Sequence, residues 1–131
     1  MGKKYLIDTN ILIYFLAGTI PENQVQRLTD VFLTSFNISV ITKIELLGWR
    51  KHSAEGLLKS VEFISNANTI FLDDNIAEQS ILLKQKISIK LPDAVIAATC
   101  VAKGYTLVTR NTGDFTKIDS LDIFNPFLET H

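Results

Sequence analysis

Apolar and polar positions follow one another in short blocks along this chain, and the period of the pattern changes from block to block. Tyr5-Leu6-Ile7 is an apolar run of strand length that ends at Asp8. Ile11, Leu12, Tyr14, Phe15 and Leu16 then recur at helical intervals until Gly18, a residue that can stop a helix. Pro21 suits a helix's first turn, and Val25, Leu28, Val31 and Phe32 carry an amphipathic helix to about Phe36. Asn37 to Val40 reads as a brief strand or extended segment, and Thr42 to Leu47 as a helix closed by Gly48. Ser53 to Ile64 is a further helix, with Leu57, Leu58, Val61 and Ile64 on one side, and Thr69 to Leu72 is β-like. Ile76, Ser80, Leu83 and Ile87 fall at helical spacing. Pro92 to Lys103 predicts a helix of small residues that packs closely on a sheet before Gly104 ends it. Tyr105 to Thr109 is the strongest strand signal after the first, and Leu121 to Phe124 predicts a last, edge strand.

Strands separated by helices imply right-handed crossovers and a parallel arrangement, because a short loop cannot return the chain to the start of the next parallel strand. The expected class is α/β, a three-layer α/β/α sandwich with a mostly parallel central sheet. At 131 residues the chain suffices for one core and is short for two, so a single domain over residues 1–131 is expected.

Composition narrows the classes. Hydrophobic residues make up 47% and charged residues 21%, with three prolines and six glycines, which excludes a disordered or collagen-like chain. Thirteen basic against fourteen acidic side chains give a net charge of -1, which argues against a non-specific nucleic-acid coat. A nuclease remains open, since bound Mg²⁺ or Mn²⁺ recruits phosphate where net charge does not. The three lysines Lys84, Lys86 and Lys90 read as a solvated helix face. Asp8 and Asn10 interrupt the apolar start too early for a signal peptide, and no run of eighteen apolar residues predicts a membrane span. Cys100, alone in an alanine-rich helical stretch, reads as a buried, inert thiol, consistent with a reducing cytoplasm.

The candidate chemistry lies in four acids that punctuate the elements: Asp8, Glu45, Asp93 and Asp114. Each has an ordinary local explanation. Asp8 suits a helix N-cap, Thr42-Lys43-Ile44-Glu45 matches a capping box, Asp93 complements a helix dipole after Pro92, and Asp114 sits in an Asn-Thr-Gly-Asp turn. None of these explanations predicts that strand ends and helix starts share one edge, yet a parallel sheet puts them there. Four carboxylates at one point make a hard-cation site, with phosphodiester hydrolysis as the leading chemistry. His52 and His131 are the only histidines, too few for a zinc cluster, and His52 beside Arg50 and Lys51 reads as a solvated loop residue.

The blocks Tyr-Leu-Ile-Asp8-Thr9-Asn10, Val-Ile-Thr-Lys-Ile-Glu45-Leu-Leu-Gly48, Leu-Pro-Asp93-Ala-Val-Ile-Ala-Ala and Leu-Val-Thr109-Arg110-Asn111-Thr-Gly-Asp114-Phe115 stand in order over nearly the whole chain. Together they resemble the four blocks of the PIN-domain family, and most closely its VapC-like ribonuclease toxins. The resemblance implies an Mg²⁺- or Mn²⁺-dependent endoribonuclease of the cytoplasm, with RNA as substrate and a cognate antitoxin as partner. It implies that Asp8, Glu45, Asp93 and Asp114 hold the metal, and that Thr9, Asn10, Thr109 and Asn111 orient ligands or water. Asp8 and Asp93 are the expected direct contacts, Glu45 ligates or acts through water, and Arg110 is a candidate for touching RNA phosphate. The apolar residues Phe32, Phe36, Trp49 and Phe63, with the resemblance, predict a homodimer. Residues 49–90 carry no motif, and substrate choice is expected to lie partly there. Two alternatives compete: a PIN-like module that binds RNA or protein without cleaving, and a receiver-like phosphorylation module, which lacks its usual acidic pair at the first strand.

Overall fold

The computed structural model describes residues 2–128, so His131 lies outside the described residues. Five short strands, β1 (Tyr5–Ile7), β2 (Asn37–Ser39), β3 (Asn68–Ile70), β4 (Thr106–Val108) and β5 (Ile123–Phe124), form one sheet in the order β3-β2-β1-β4-β5. Every neighbouring pair is parallel. The connections carry α1 (Thr9–Leu16), α2 (Glu22–Thr34), α3 (Val40–Leu47), α4 (Ala54–Ile64), α5 (Asp74–Lys86), α6 (Leu91–Lys103) and α7 (Thr112–Phe115). This is the expected three-layer α/β/α sandwich.

The central strands are apolar on both faces because helices cover both. Side chains alternate across a strand. Ile7 and Val108 accordingly join Ile11, Leu12, Leu28 and Ile38 in one core, while Leu6 and Leu107 join Ile96, Ala97, Cys100 and Phe115 in the other. Each of these four strand residues is fully buried, a contribution of roughly 1.5–3 kcal/mol per side chain. The small side chains of α6 let it lie close: Ala94, Ala97 and Ala98 are fully enclosed, and Gly104 ends the helix at φ +71°, a left-handed turn that glycine adopts without a Cβ penalty.

Chain order fixes where a ligand can sit. From β1 the chain steps to β2 and β3 on one side, then returns through α5 and α6 to β4 on the other side of β1. The strand order therefore reverses between β1 and β4. Loops leaving the carboxyl ends of those two strands diverge to opposite sides and leave a crevice. Asp8 and Thr109 are the first residues past those ends.

Most boundaries differ from the sequence-based expectation by a residue or two, and several differences matter. α3 begins at Val40, with Ser39 as its N-cap accepting from the Ile41 N–H at 3.1 Å. The Thr42…Glu45 capping box is therefore not formed; both residues lie inside the helix, where i and i+3 share a face. The expected Asn-Thr-Gly-Asp turn is the short helix α7. Phe32, Phe36 and Phe63 are not surplus surface: with Phe15 they stack and cross at centroid distances of 4.8 to 5.5 Å beside the first core. The three lysines are exposed, as expected of a solvated face, but they do not stand on one helix. Lys84 donates to the Ile89 carbonyl at 2.7 Å and closes the α5–α6 loop, while Lys90 occupies the N-cap position of α6 with no side-chain cap bond.

Candidate functional site

Asp8, Glu45 and Asp93 line one open cavity of about 850 Å³ at the β1/β4 crevice, together with Thr9, Asn10 and Asn111. They arrive there from three different elements: the end of β1, the second turn of α3 and the first turn of α6. Asp114 is placed differently. It stands on α7, partly exposed, 3.7 Å from Lys117, and does not line the cavity, although its charge reaches Asp93.

Two threonines hold the acids. Asp8 keeps its N-cap role through Oδ1, which accepts from the Thr9 N–H at 2.8 Å, and its Oδ2 accepts from the Thr109 hydroxyl at 2.8 Å. Thr109 Oγ1 in turn accepts from the Asn111 N–H at 3.1 Å, so one buried hydroxyl ties the β4 end to the β1 end. The Thr9 hydroxyl donates to Glu45 Oε1 at 2.7 Å and lies 3.0 Å from Thr42 Oγ1. A hydroxyl has one proton. With Thr9's proton on Glu45, the fully buried Thr42 completes the chain of oxygens behind it. The sequence marks Thr42 only as a capping-box residue; its place three positions before Glu45 on a buried helix face is the signal for its role behind the acids. Asn10 is exposed on α1 and makes no side-chain hydrogen bond among the described residues.

The electrostatics follow from this placement. Burial pushes the Asp8 carboxyl up from its ordinary 3.8 to about 6; hydrogen bonds from Thr109 and Thr9 oppose that, while the charges of Asp93 and Glu45 add to it. Asp93 is also raised, by burial first and then by Glu45 and Asp114, with Lys90 offsetting part. Among the described residues the ion pairs are Lys59–Glu55 and Lys117–Asp114, so none of the three cavity acids has a cationic side chain in ion-pair contact. Uncompensated carboxylates of this kind suit a hard divalent cation. Among the described residues, however, no three His, Cys, Asp or Glu side chains are gathered into a ready donor set.

Other residues depart from expectation. The Arg110 guanidinium lies 4.2 Å from the centre of the Phe127 ring and 5.3 Å from that of Tyr14, over aromatic faces and off the cavity wall. His52 is not a solvated loop residue: its Nε2 lies 2.7 Å from the Leu46 carbonyl, its ring stands across Trp49, and both line the cavity. Cys100 is buried and its thiol is pushed well above the ordinary range, chiefly by burial, as the inert reading requires.

Comparison with known proteins gives one family by sequence and by structure. Residues 5–121 match the model of the PIN domain family. Over 127 residues the chain is 28% identical to "Ribonuclease VapC1" of Rickettsia felis, covering 90% of this chain and 92% of that protein. A toxin-antitoxin complex from Klebsiella pneumoniae contains a chain 32% identical, with a TM-score of 0.76, covering 94% of this chain and 98% of its own length. The DNA-bound VapBC of Salmonella typhimurium contains one 25% identical, with a TM-score of 0.81, covering 95% and 99% respectively.

Proposed function

The chain belongs to the PIN-domain family and is homologous to VapC toxins, and from that premise we propose that it is a metal-dependent endoribonuclease, the toxin of a toxin–antitoxin pair. The observation that carries this reading is the convergence of Asp8, Glu45 and Asp93, unpaired by any cation, at the point where the strand order reverses. Asp8 and Asp93 would hold Mg²⁺ or Mn²⁺ directly, Glu45 directly or through water, and Asp114 would lend charge from α7. When bound, such an ion supplies a polarised water and neutralises charge on the phosphoryl oxygens. Thr9 and Thr109 orient the carboxylates, and Asn10 and Asn111 present amides to the cavity, where they can position water or phosphate.

A second reading, a PIN-like module that binds without cleaving, has one observation in its favour: the described side chains form no closed donor set. The raised Asp8 argues for the first, because a buried carboxylate without a partner is costly unless something compensates its charge. Cleavage of single-stranded RNA by the purified protein in Mg²⁺ or Mn²⁺, abolished by EDTA and by Asp8→Asn, separates them. Metal-dependent RNA binding with no cleavage would establish the second.

Similarity to toxin-antitoxin complexes supports a cognate antitoxin as partner, with a basic side chain of that partner seated among the acids. Of the four apolar residues that the sequence marks as dimer surface, Trp49 alone is exposed, on the cavity wall, so the homodimer reading rests on others. Phe71 and Leu72 follow the edge strand β3, and Ile81 and Leu82 lie on the next helix; all four are exposed. No described helix is long and apolar enough to cross a membrane, and we place the protein's action in the cytoplasm, where its RNA substrate lies.

A further inference from the structure

One wall of the cavity carries an aromatic side chain that neither the acids nor the core uses. Trp49 is 56% exposed, an unusual state for the largest apolar side chain. It is nevertheless held. The His52 ring lies 5.0 Å away and at 85° to the indole, and His52 Nε2 stands 2.7 Å from the Leu46 carbonyl. A carbonyl only accepts, so Nε2 carries the proton and the imidazole is locked in one tautomer and one orientation. Gly48 sets the approach: a Cβ there would lie 2.5 Å from the Ile44 carbonyl oxygen, so the chain leaves α3 by a turn that only glycine permits without displacement. The indole is thus presented to the cavity from a fixed support. Its N–H makes no hydrogen bond among the described residues and is available to a ligand.

We propose that Trp49 is a stacking platform for an unpaired nucleobase of the RNA strand whose phosphate lies at the acidic cluster, which makes it a residue that selects how the strand is seated. The proposal rests on the nuclease reading for the position of the phosphate. Single-stranded RNA is recognised by aromatic faces beside cationic and hydrogen-bonding groups. The same cavity offers that combination, with Lys90, and Lys59 from its exposed pair with Glu55, for phosphates and Asn10 and Asn111 for base or sugar edges. Ile13 and Leu16 also line it, so an apolar segment of a protein partner is the competing occupant.

Trp49 is the only tryptophan in the chain, so its fluorescence reports the platform alone. A short fluorescein-labelled single-stranded oligoribonucleotide is mixed with the protein in Mg²⁺ by stopped flow; anisotropy follows binding and indole emission follows stacking, both before cleavage. Quenching by this strand, and much weaker quenching by an abasic strand of equal length, is expected. Trp49→Ala is expected to weaken strand binding and raise KM roughly 5- to 100-fold, the range that loss of one stacked base produces. In that variant kcat stays within a few fold, and Trp49→Phe recovers most of the loss. Binding without quenching, equal quenching by the abasic strand, or an unchanged KM in a folded Trp49→Ala protein would overturn the proposal while leaving the nuclease reading intact. Emission that responds to an amphipathic leucine- and arginine-rich peptide and not to RNA would overturn it in favour of a protein occupant. Base-dependent quenching by a protein that binds RNA and does not cleave it would uphold the platform and sink the nuclease reading instead.

Discussion

Replacing Asp8 with asparagine should stabilise the metal-free protein, and the size of the effect follows from the site. The displacement of its pKa from 3.8 to about 6 is worth about 3 kcal/mol against the charged form. For an acid raised in the folded state, the folded protein binds the extra proton between the two values. Stability is therefore intact below pH ~4, falls as pH rises from ~4 to ~6, and stays low above that. Asparagine removes the buried charge but changes the hydrogen bonds. Its carbonyl can still accept from the Thr9 N–H, while its amide must donate to Thr109 Oγ1, whose own proton then lacks its acceptor, a loss of about 1 kcal/mol. The net expectation near pH 7.5 in EDTA is a gain of about 1–2 kcal/mol, or roughly 3–8 °C in Tm for a chain of this size. At pH 4 the wild-type carboxyl is protonated and keeps both bonds, so the gap should vanish or reverse. Excess Mg²⁺ should raise wild type and leave the variant behind, because an ion that binds only the native state stabilises it by RT ln(1 + c/Kd) at free ion concentration c. Thermal melts of both proteins at pH 4 and 7.5, with EDTA and with Mg²⁺, decide the matter. An Asp8→Asn protein that melts lower in EDTA by the same amount at both pH values would show that Asp8 is a plain helix cap and that no charge is stored there.

Asp93→Asn should lower Mg²⁺-dependent RNA cleavage by at least the roughly 10- to 100-fold that even a supporting group around a metal costs, measured as kcat/KM on a single-stranded substrate. Thr109→Val should destabilise by about 1–3 kcal/mol in a denaturant melt, since it strands the Asp8 carboxylate and the Asn111 N–H together. Because the Thr109 bond lowers the Asp8 pKa, the same change should move the acidic limb of the cleavage pH profile to higher pH. Gly48→Ala should cost about 1–3 kcal/mol through its contact with the Ile44 carbonyl, read as a lower urea midpoint with an unchanged slope. The double change Leu72→Lys and Ile81→Lys should leave the melting temperature nearly unaltered while sedimentation shifts from dimer to monomer.

Much of this architecture was legible in the residue order, because period is a local property. Leu6-Ile7 and Leu107-Val108 are apolar at consecutive positions because both faces of their strands are covered, and strand-helix alternation dictates a parallel sheet. Once the sheet is parallel, acids that close strands or open helices gather at one edge, so Asp8, Glu45 and Asp93 could be placed together from the chain alone. What the chain alone could not decide depends on distances between segments remote in sequence. Ser39, three positions before the expected Thr42, captures the α3 cap, which frees Glu45 to bond Thr9, thirty-six residues away. Phe32 and Phe63 are core rather than contact surface because α2 and α4 pack against the same face, a fact that no window of either helix contains. Arg110 turns to Tyr14 and Phe127, and Asp114 to Lys117, because those partners happen to be nearer than the cavity. Trp49 and His52 had no motif to mark them. Local sequence sets which backbone conformations are cheap; only tertiary packing sets which side chains are left facing a shared space, and that second choice is where this site acquires its charge and its walls.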